Sequence, residues 1–180
     1  MANAQIEQIR TQLKENPVVA EGASLEEMRA GIDAMGGMFP SLEDVTAAAV
    51  DAGGVDAEWF DVSGGDPGRV LLYLHGGGYV IGSVQSHRPM IERITKAING
   101  RVLALNYRLA PEHPFPAAVE DAVAAYRWLL AQGVAAERIA VAGDSAGGGL
   151  TLATLLAIRD AGLAMPACTV SISPWTDMEC

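Results

Sequence analysis

Four short apolar runs, 70–74, 102–105, 139–142 and 166–172, alternate with stretches of helical character over 86–98, 117–131 and 146–160. This alternation is what most constrains the fold. A strand buried on both faces reads as a continuous apolar run, whereas a half-exposed strand alternates apolar and polar residues. Strand, helix, strand repeats close into a parallel sheet through right-handed crossovers, with helices on its faces. A weaker strand over 59–62, followed by a turn over 63–68, precedes the first buried run.

The first fifty residues follow a different pattern. Ile6, Ile9 and Leu13 fall at helical spacing over 3–15, and Asn16-Pro17 is a stop signal. Ser24 followed by Glu27 matches a capping box, and Leu25, Met28, Ile32 and Met35 then share one face before Gly36-Gly37. No strand is expected between these helices. The reading divides the chain into a helical cap segment, 1–50, and a partial α/β core, 51–180.

Composition narrows the classes of partner. Half of the 180 residues are apolar and the formal charge is -10, so the chain is globular and its surface repels nucleic acid. The most apolar stretch, 139–158, is broken by Asp144, Ser145 and glycines, so no membrane span is expected. Cys168 and Cys180 give neither a disulfide framework nor metal-ligand spacing, and no cofactor is expected. The polar, mixed-charge start does not resemble a signal peptide, and a cytoplasmic setting is expected.

Two glycine-rich strings carry the chemistry. His75-Gly76-Gly77-Gly78 follows the run 70–74, and Gly143-Asp144-Ser145-Ala146-Gly147 follows the run 139–142. The second reads G-x-S-x-G, a serine on a tight strand-to-helix turn, and the first reads HGGG, a source of backbone N–H donors for an oxyanion. Each motif alone is weak: a glycine triplet after a strand is otherwise a plain loop. Together, each after a buried strand and the second before a helix, they indicate acyl transfer through a serine nucleophile. The start of the helix at Ala146 adds its positive dipole end and a free N–H beside the developing charge.

The strings LLYLHGGGYVIGSVQSH, LNYRLAPEHPFPAAVEDAV, RIAVAGDSAGGGL and SISPWTD span residues 71 to 177 and resemble, in order and spacing, the bacterial hormone-sensitive lipase-like esterases. The resemblance implies an α/β-hydrolase fold with an amino-terminal helical cap and a short-chain carboxylic ester as small-molecule substrate. It implies Ser145 as nucleophile and Gly77, Gly78 and Ala146 as oxyanion donors. His75, Gly76 and Asp144 are expected in supporting roles. Tyr107, Arg108, Glu112 and His113 lie in a matching stretch whose expected role is bracing.

The pattern breaks after the serine. The hydrolase triad runs Ser, Asp or Glu, then His along the chain. No histidine follows Ser145, and the carboxylates there are Asp160, Asp177 and Glu179. His75 is expected to shape the oxyanion loop, His87 to cap or pack near a helix start, and His113 to sit in a proline-rich loop. The family's last strands are absent, which leaves an apolar strand over 167–172 at the sheet edge. Three accounts stay open: an esterase missing its carboxyl-terminal part, a short form completed as a homo-oligomer or by another chain, and a non-catalytic binding form such as the plant gibberellin receptors of this family. A lactone, which presents the same carbonyl, is an alternative substrate.

Overall fold

The run Val70–Leu74 forms strand β3 with every residue buried, and its period of two sorts the side chains onto two faces. Val70, Leu72 and Leu74 pack on one side, and Leu71 and Tyr73 on the other. In this computed structural model, residues 3–15 and 22–177 are described. Helices α1 (Ala4–Glu15) and α2 (Leu25–Gly36) lead into β1 (Val45–Asp51) and β2 (Asp56–Val62). After β3 come α3 (Val84–Ile98), β4 (Arg101–Leu105), α4 (Ala117–Ala131), β5 (Ile139–Asp144), α5 (Ala146–Asp160) and β6 (Cys168–Ile172).

The six strands lie in the order β1-β2-β4-β3-β5-β6. β3 pairs in parallel with β4 and β5, and β5 with β6, while β2 runs antiparallel to both β1 and β4. The sheet is thus mostly parallel, as expected, with an antiparallel edge. α3 covers the face that holds Phe60, Tyr73 and Val102. α4 and α5 cover the opposite face through Tyr126, Leu129, Leu150 and Ile158. Leu72, Leu74, Leu103 and Leu105 have no exposed surface. Truncating one such leucine to alanine typically costs about 2–5 kcal/mol.

The chain steps from β3 to β4 on one side and then crosses back to β5 on the other. The carboxyl ends of β3 and β5 therefore flank the point where the winding reverses, which is where open α/β sheets leave a crevice for ligands. His75 follows β3 there and Ser145 follows β5.

Two parts of the sequence reading need correction. The segment expected as a two-helix cap, 1–50, also carries most of β1, so the sheet begins at Val45 and a cap and core division at 50/51 falls inside a strand. Thr46 to Ala49 are all exposed, which removes the alternation that marks a strand. Backbone pairing such as Val45 with Val62 sets β1 instead. The strand expected over 59–62 begins earlier, at Asp56. The Ser24–Glu27 capping box is present. In α1, Ile6 is half exposed, whereas the side chains of Ile9 and Leu13, the Asn16-Pro17 stop, Glu179 and Cys180 lie outside the described residues.

Among the described residues β6 pairs with β5 alone, and Val170 and Ile172 on it are 51% and 42% exposed, matching the expected apolar edge.

Candidate active site

Ser145 sits between β5 and α5 with φ 52 and ψ -118, a backbone conformation few residues other than glycine adopt. Three backbone bonds fix the turn. Ser145 N–H donates to the Ile172 carbonyl at 2.9 Å, and the Ser145 carbonyl accepts from Trp175 N–H at 2.8 Å and Gly149 N–H at 3.1 Å. The turn is too tight for side chains on either flank. A Cβ on Gly143 would lie 2.3 Å from the Gly147 carbonyl oxygen, and one on Gly147 would lie 2.0 Å from that of Leu74. Strand and helix thus close around an exposed serine, a strained arrangement held by its surroundings. Ala146, fully buried, opens α5, so its N–H is among those without an intrahelical acceptor.

The loop after β3 is built on the same principle. Gly77 and Gly78 have φ 125 and 63. A Cβ on Gly77 would lie 2.0 Å from the Ile81 carbonyl oxygen, and one on Gly76 would lie 2.3 Å from Asp144 Oδ2. Asp144 Oδ1 accepts from Gly76 N–H at 3.0 Å and from the Tyr73 hydroxyl at 2.6 Å. Asp144 Oδ2 faces His87 Nε2 at 3.5 Å. Burial raises the Asp144 pKa, but the His87, Tyr73 and Gly76 donors outweigh it and hold the carboxyl below its ordinary value. Tyr73 in turn is pushed far up by burial and by that carboxylate, so its hydroxyl stays a donor.

His75 is buried and stacks on Tyr107 with ring centroids 4.3 Å apart. Its Nδ1 lies 2.7 Å from the Gly76 carbonyl, so this nitrogen is the protonated one. Burial pushes His75 down to about 4, which keeps it neutral near pH 7. The Tyr107 hydroxyl donates to the His75 carbonyl at 2.7 Å. His87 directs Nδ1 toward the Ser86 hydroxyl at 2.8 Å in the first turn of α3. His113 lies in the exposed loop before α4.

Arg108 binds Asp121, and Glu112 binds Arg29 of α2 through two contacts of 2.8 Å. The Arg29 guanidinium holds the Glu112 carboxyl down at about 2. A cavity of about 580 Å³ lies alongside, lined by Tyr79, His113, Phe115, Leu152, Leu156 and Trp175 among others. It is apolar and opens between the residue after Gly78 and the first turns of α5. Among the described residues there is no cluster of histidine, cysteine and carboxylate able to hold a metal ion, and no helix is long and apolar enough to cross a membrane.

The structure brings Ser145, Ala146, Asp144 and His75–Gly78 together at one crevice. It adds three residues the sequence reading gave no part in the site. In the sequence Tyr73 is one more residue of an apolar strand, although a buried tyrosine hydroxyl needs a partner. Arg29 reaches the site from α2, and Trp175 reaches it from the segment after β6.

A serine on a strand-to-helix elbow, beside a glycine loop at the reversal point of a mostly parallel sheet, is the arrangement of the α/β hydrolases. Residues 71–180 match the alpha/beta hydrolase fold family, and the chain belongs to it. It is 47% identical over 180 residues, 100% of this chain and 60% of the relative, to an acetyl-hydrolase of Streptomyces hygroscopicus. It is 48% identical over 120 residues, 63% of this chain and 37% of the relative, to an ethyl acetate hydrolase of Pseudomonas putida. Among solved structures it resembles an esterase of the bacterial hormone-sensitive lipase family, with a TM-score of 0.94 and 47% identity over 99% of this chain and 60% of that one. EstE5, solved from a crystal soaked with p-nitrophenyl butyrate, gives a TM-score of 0.92 at 48% identity, over 99% of this chain and 60% of that one. The chain thus spans 60% or less of the length of these relatives.

Proposed function

We propose that the protein is a carboxylic ester hydrolase for short acyl chains, working through an acyl-enzyme on Ser145. The observation that carries the reading is the exposed Ser145 on its positive-φ turn, with the N-terminus of α5 on one side and the glycine loop on the other. Ser145 Oγ attacks the ester carbonyl carbon, and the carbonyl oxygen takes up the negative charge. Gly77, Gly78 and Ala146 N–H groups donate to it, each such donor being worth about 10²–10³ in rate. Collapse of the tetrahedral species expels the alcohol and leaves the acyl group on Oγ. Water then releases the carboxylic acid. Asp144, Gly76 and His75 hold the donor loop in register. The names of the acetyl-hydrolase and ethyl acetate hydrolase relatives support a short acyl group, and the 580 Å³ apolar cavity offers it room.

In this proposal the proton of Ser145 goes to an imidazole from outside these 180 residues. His75 is buried and stacked on Tyr107, His87 Nε2 faces Asp144, His113 lies on the exposed loop before α4, and no histidine follows the serine in the given sequence. A carboxyl-terminal continuation of the polypeptide or a complementing chain, meeting the exposed side of β6, supplies it. The helices α1 and α2 act as the cap of the site. The free, exposed thiol of Cys168 supports a cytoplasmic setting, where thiols stay reduced. The test is hydrolysis of p-nitrophenyl acetate by the protein together with the polypeptide that supplies the imidazole, with Ser145→Ala lowering the rate by about 10³-fold or more. Hydrolysis unchanged in Ser145→Ala overturns the reading.

A further inference from the structure

Helix α2 does more than lie over the site: its side chains grip the loop that carries the glycine donors. Arg29 Nε donates to the Val80 carbonyl at 2.8 Å, and Arg29 Nη2 donates to the Ala110 carbonyl at 3.0 Å. One turn further along, Asp33 accepts from the hydroxyl of Ser83, the N-cap residue of α3. The helix is seated closely enough to hold these contacts in register. A Cβ on Gly36 would lie 2.0 Å from the Gln85 carbonyl oxygen, which Pro89, lacking an N–H, leaves without its helical donor.

The consequence runs through two peptide planes. The Val80 carbonyl held by Arg29 shares a planar peptide unit with the Ile81 N–H. Ile81 N–H donates to the Gly77 carbonyl at 3.0 Å, and Val80 N–H donates to the same oxygen at 3.1 Å. The Gly77 carbonyl in turn shares its plane with the Gly78 N–H, which points the opposite way. Gly77 and Gly78 lack side chains and have positive φ, so nothing of their own fixes that plane. The direction of the Gly78 N–H is therefore set by the Gly77–Ile81 turn, whose Val80–Ile81 peptide unit Arg29 holds from outside the loop. The donor at the far end of the chain is a guanidinium, whose charge-assisted bond is stronger than a neutral one and polarises the bonds that follow.

We propose that Arg29 is a positioning residue for the Gly78 oxyanion donor, acting through the Val80–Ile81 and Gly77–Gly78 peptide units, with Asp33 holding the next turn through Ser83. This rests on the reading of Gly78 as an oxyanion donor. Removing the cap contact disorganises the oxyanion hole without touching Ser145.

Backbone amide NMR and hydrogen exchange on the full chain test this without turnover. Arg29→Gln is expected to speed exchange at Ile81 by about tenfold and to shift the Gly78 amide resonance. Asp33→Asn has a smaller effect, centred on Ser83. Arg29→Lys restores part of the protection, and Glu26→Gln, on the exposed side of α2, leaves both probes as in the wild type. Ile81 exchange and the Gly78 resonance unchanged in folded Arg29→Gln overturn the proposal. Should Arg29→Gln fail to fold, Arg29→Lys decides it, because it keeps the charge but not the forked geometry: the same two amides respond to it, or the proposal falls. In an ester assay Arg29→Gln lowers kcat with KM little changed. Failure of Ser145-dependent hydrolysis would strike the proposed activity and leave the amide result standing.

Discussion

Asp144 Oδ1 accepts the Gly76 N–H at 3.0 Å, so the residue immediately before Ser145 holds the first glycine of the loop after β3. The two glycine strings, 68 positions apart, are locked by one carboxylate. The same oxygen accepts the hydroxyl of the fully buried Tyr73. Asp144→Ala strands both donors, and a buried donor left without a partner costs about 1–3 kcal/mol. Urea denaturation is expected to show a loss of about 2–3 kcal/mol, while Asp144→Asn, which keeps an acceptor oxygen, loses less than half of that. Equal stability of Asp144→Ala and wild type contradicts the assignment.

Burial of His75 predicts a pH dependence with a definite sign. The folded chain holds His75 down at about 4, whereas an unfolded histidine titrates near 6.5. Between these values the unfolded chain takes up a proton that the folded chain refuses, so stability is complete above about pH 6.5 and declines as pH falls toward 4. The loss from this residue is on the order of 3 kcal/mol. Denaturation midpoints at several pH values check it. His75→Asn removes the slope in that window and leaves the losses below about pH 4, where Glu112 and other paired carboxylates take up protons.

Much of this arrangement is legible in the sequence, for physical reasons that differ by residue. β3 and α5 are readable because a run buried on both faces and a helix opened by a G-x-S-x-G turn each leave a local signature. The capping box at Ser24 is equally local. β1 is not readable, since its alanines carry no alternation and its pairing partner lies in β2. Arg29 is invisible for a related reason. Its partners, Val80, Ala110 and Glu112, stand more than 50 positions away, and two of them are backbone carbonyls. His75 and Asp144 could be assigned supporting roles from their motifs, but which atoms they hold is set by the approach of β3 to β5.

The apolar cavity beside α5 predicts how acyl length is sensed. Leu152 and Leu156, one turn apart on α5, line it and are 40% and 52% exposed. Leu152→Trp fills part of that space while leaving the elbow residues in place. The ratio of p-nitrophenyl butyrate to p-nitrophenyl acetate hydrolysis is expected to fall by about tenfold or more, since each methylene lost from an apolar pocket is worth roughly 1–3 kcal/mol. An unchanged ratio places the acyl group elsewhere.

The central claim is that Ser145 is the reacting nucleophile, and covalent labelling tests it most directly. The protein is incubated with a fluorophosphonate, and the adduct is located by mass spectrometry of its peptides. The account predicts one phosphonyl group, on Ser145, absent from Ser145→Ala and reduced by about 10²-fold or more in rate in Gly77→Ala, where a Cβ would strike the Ile81 carbonyl oxygen at 2.0 Å. An unmodified Ser145, or label spread over other hydroxyls at equal rate, contradicts it.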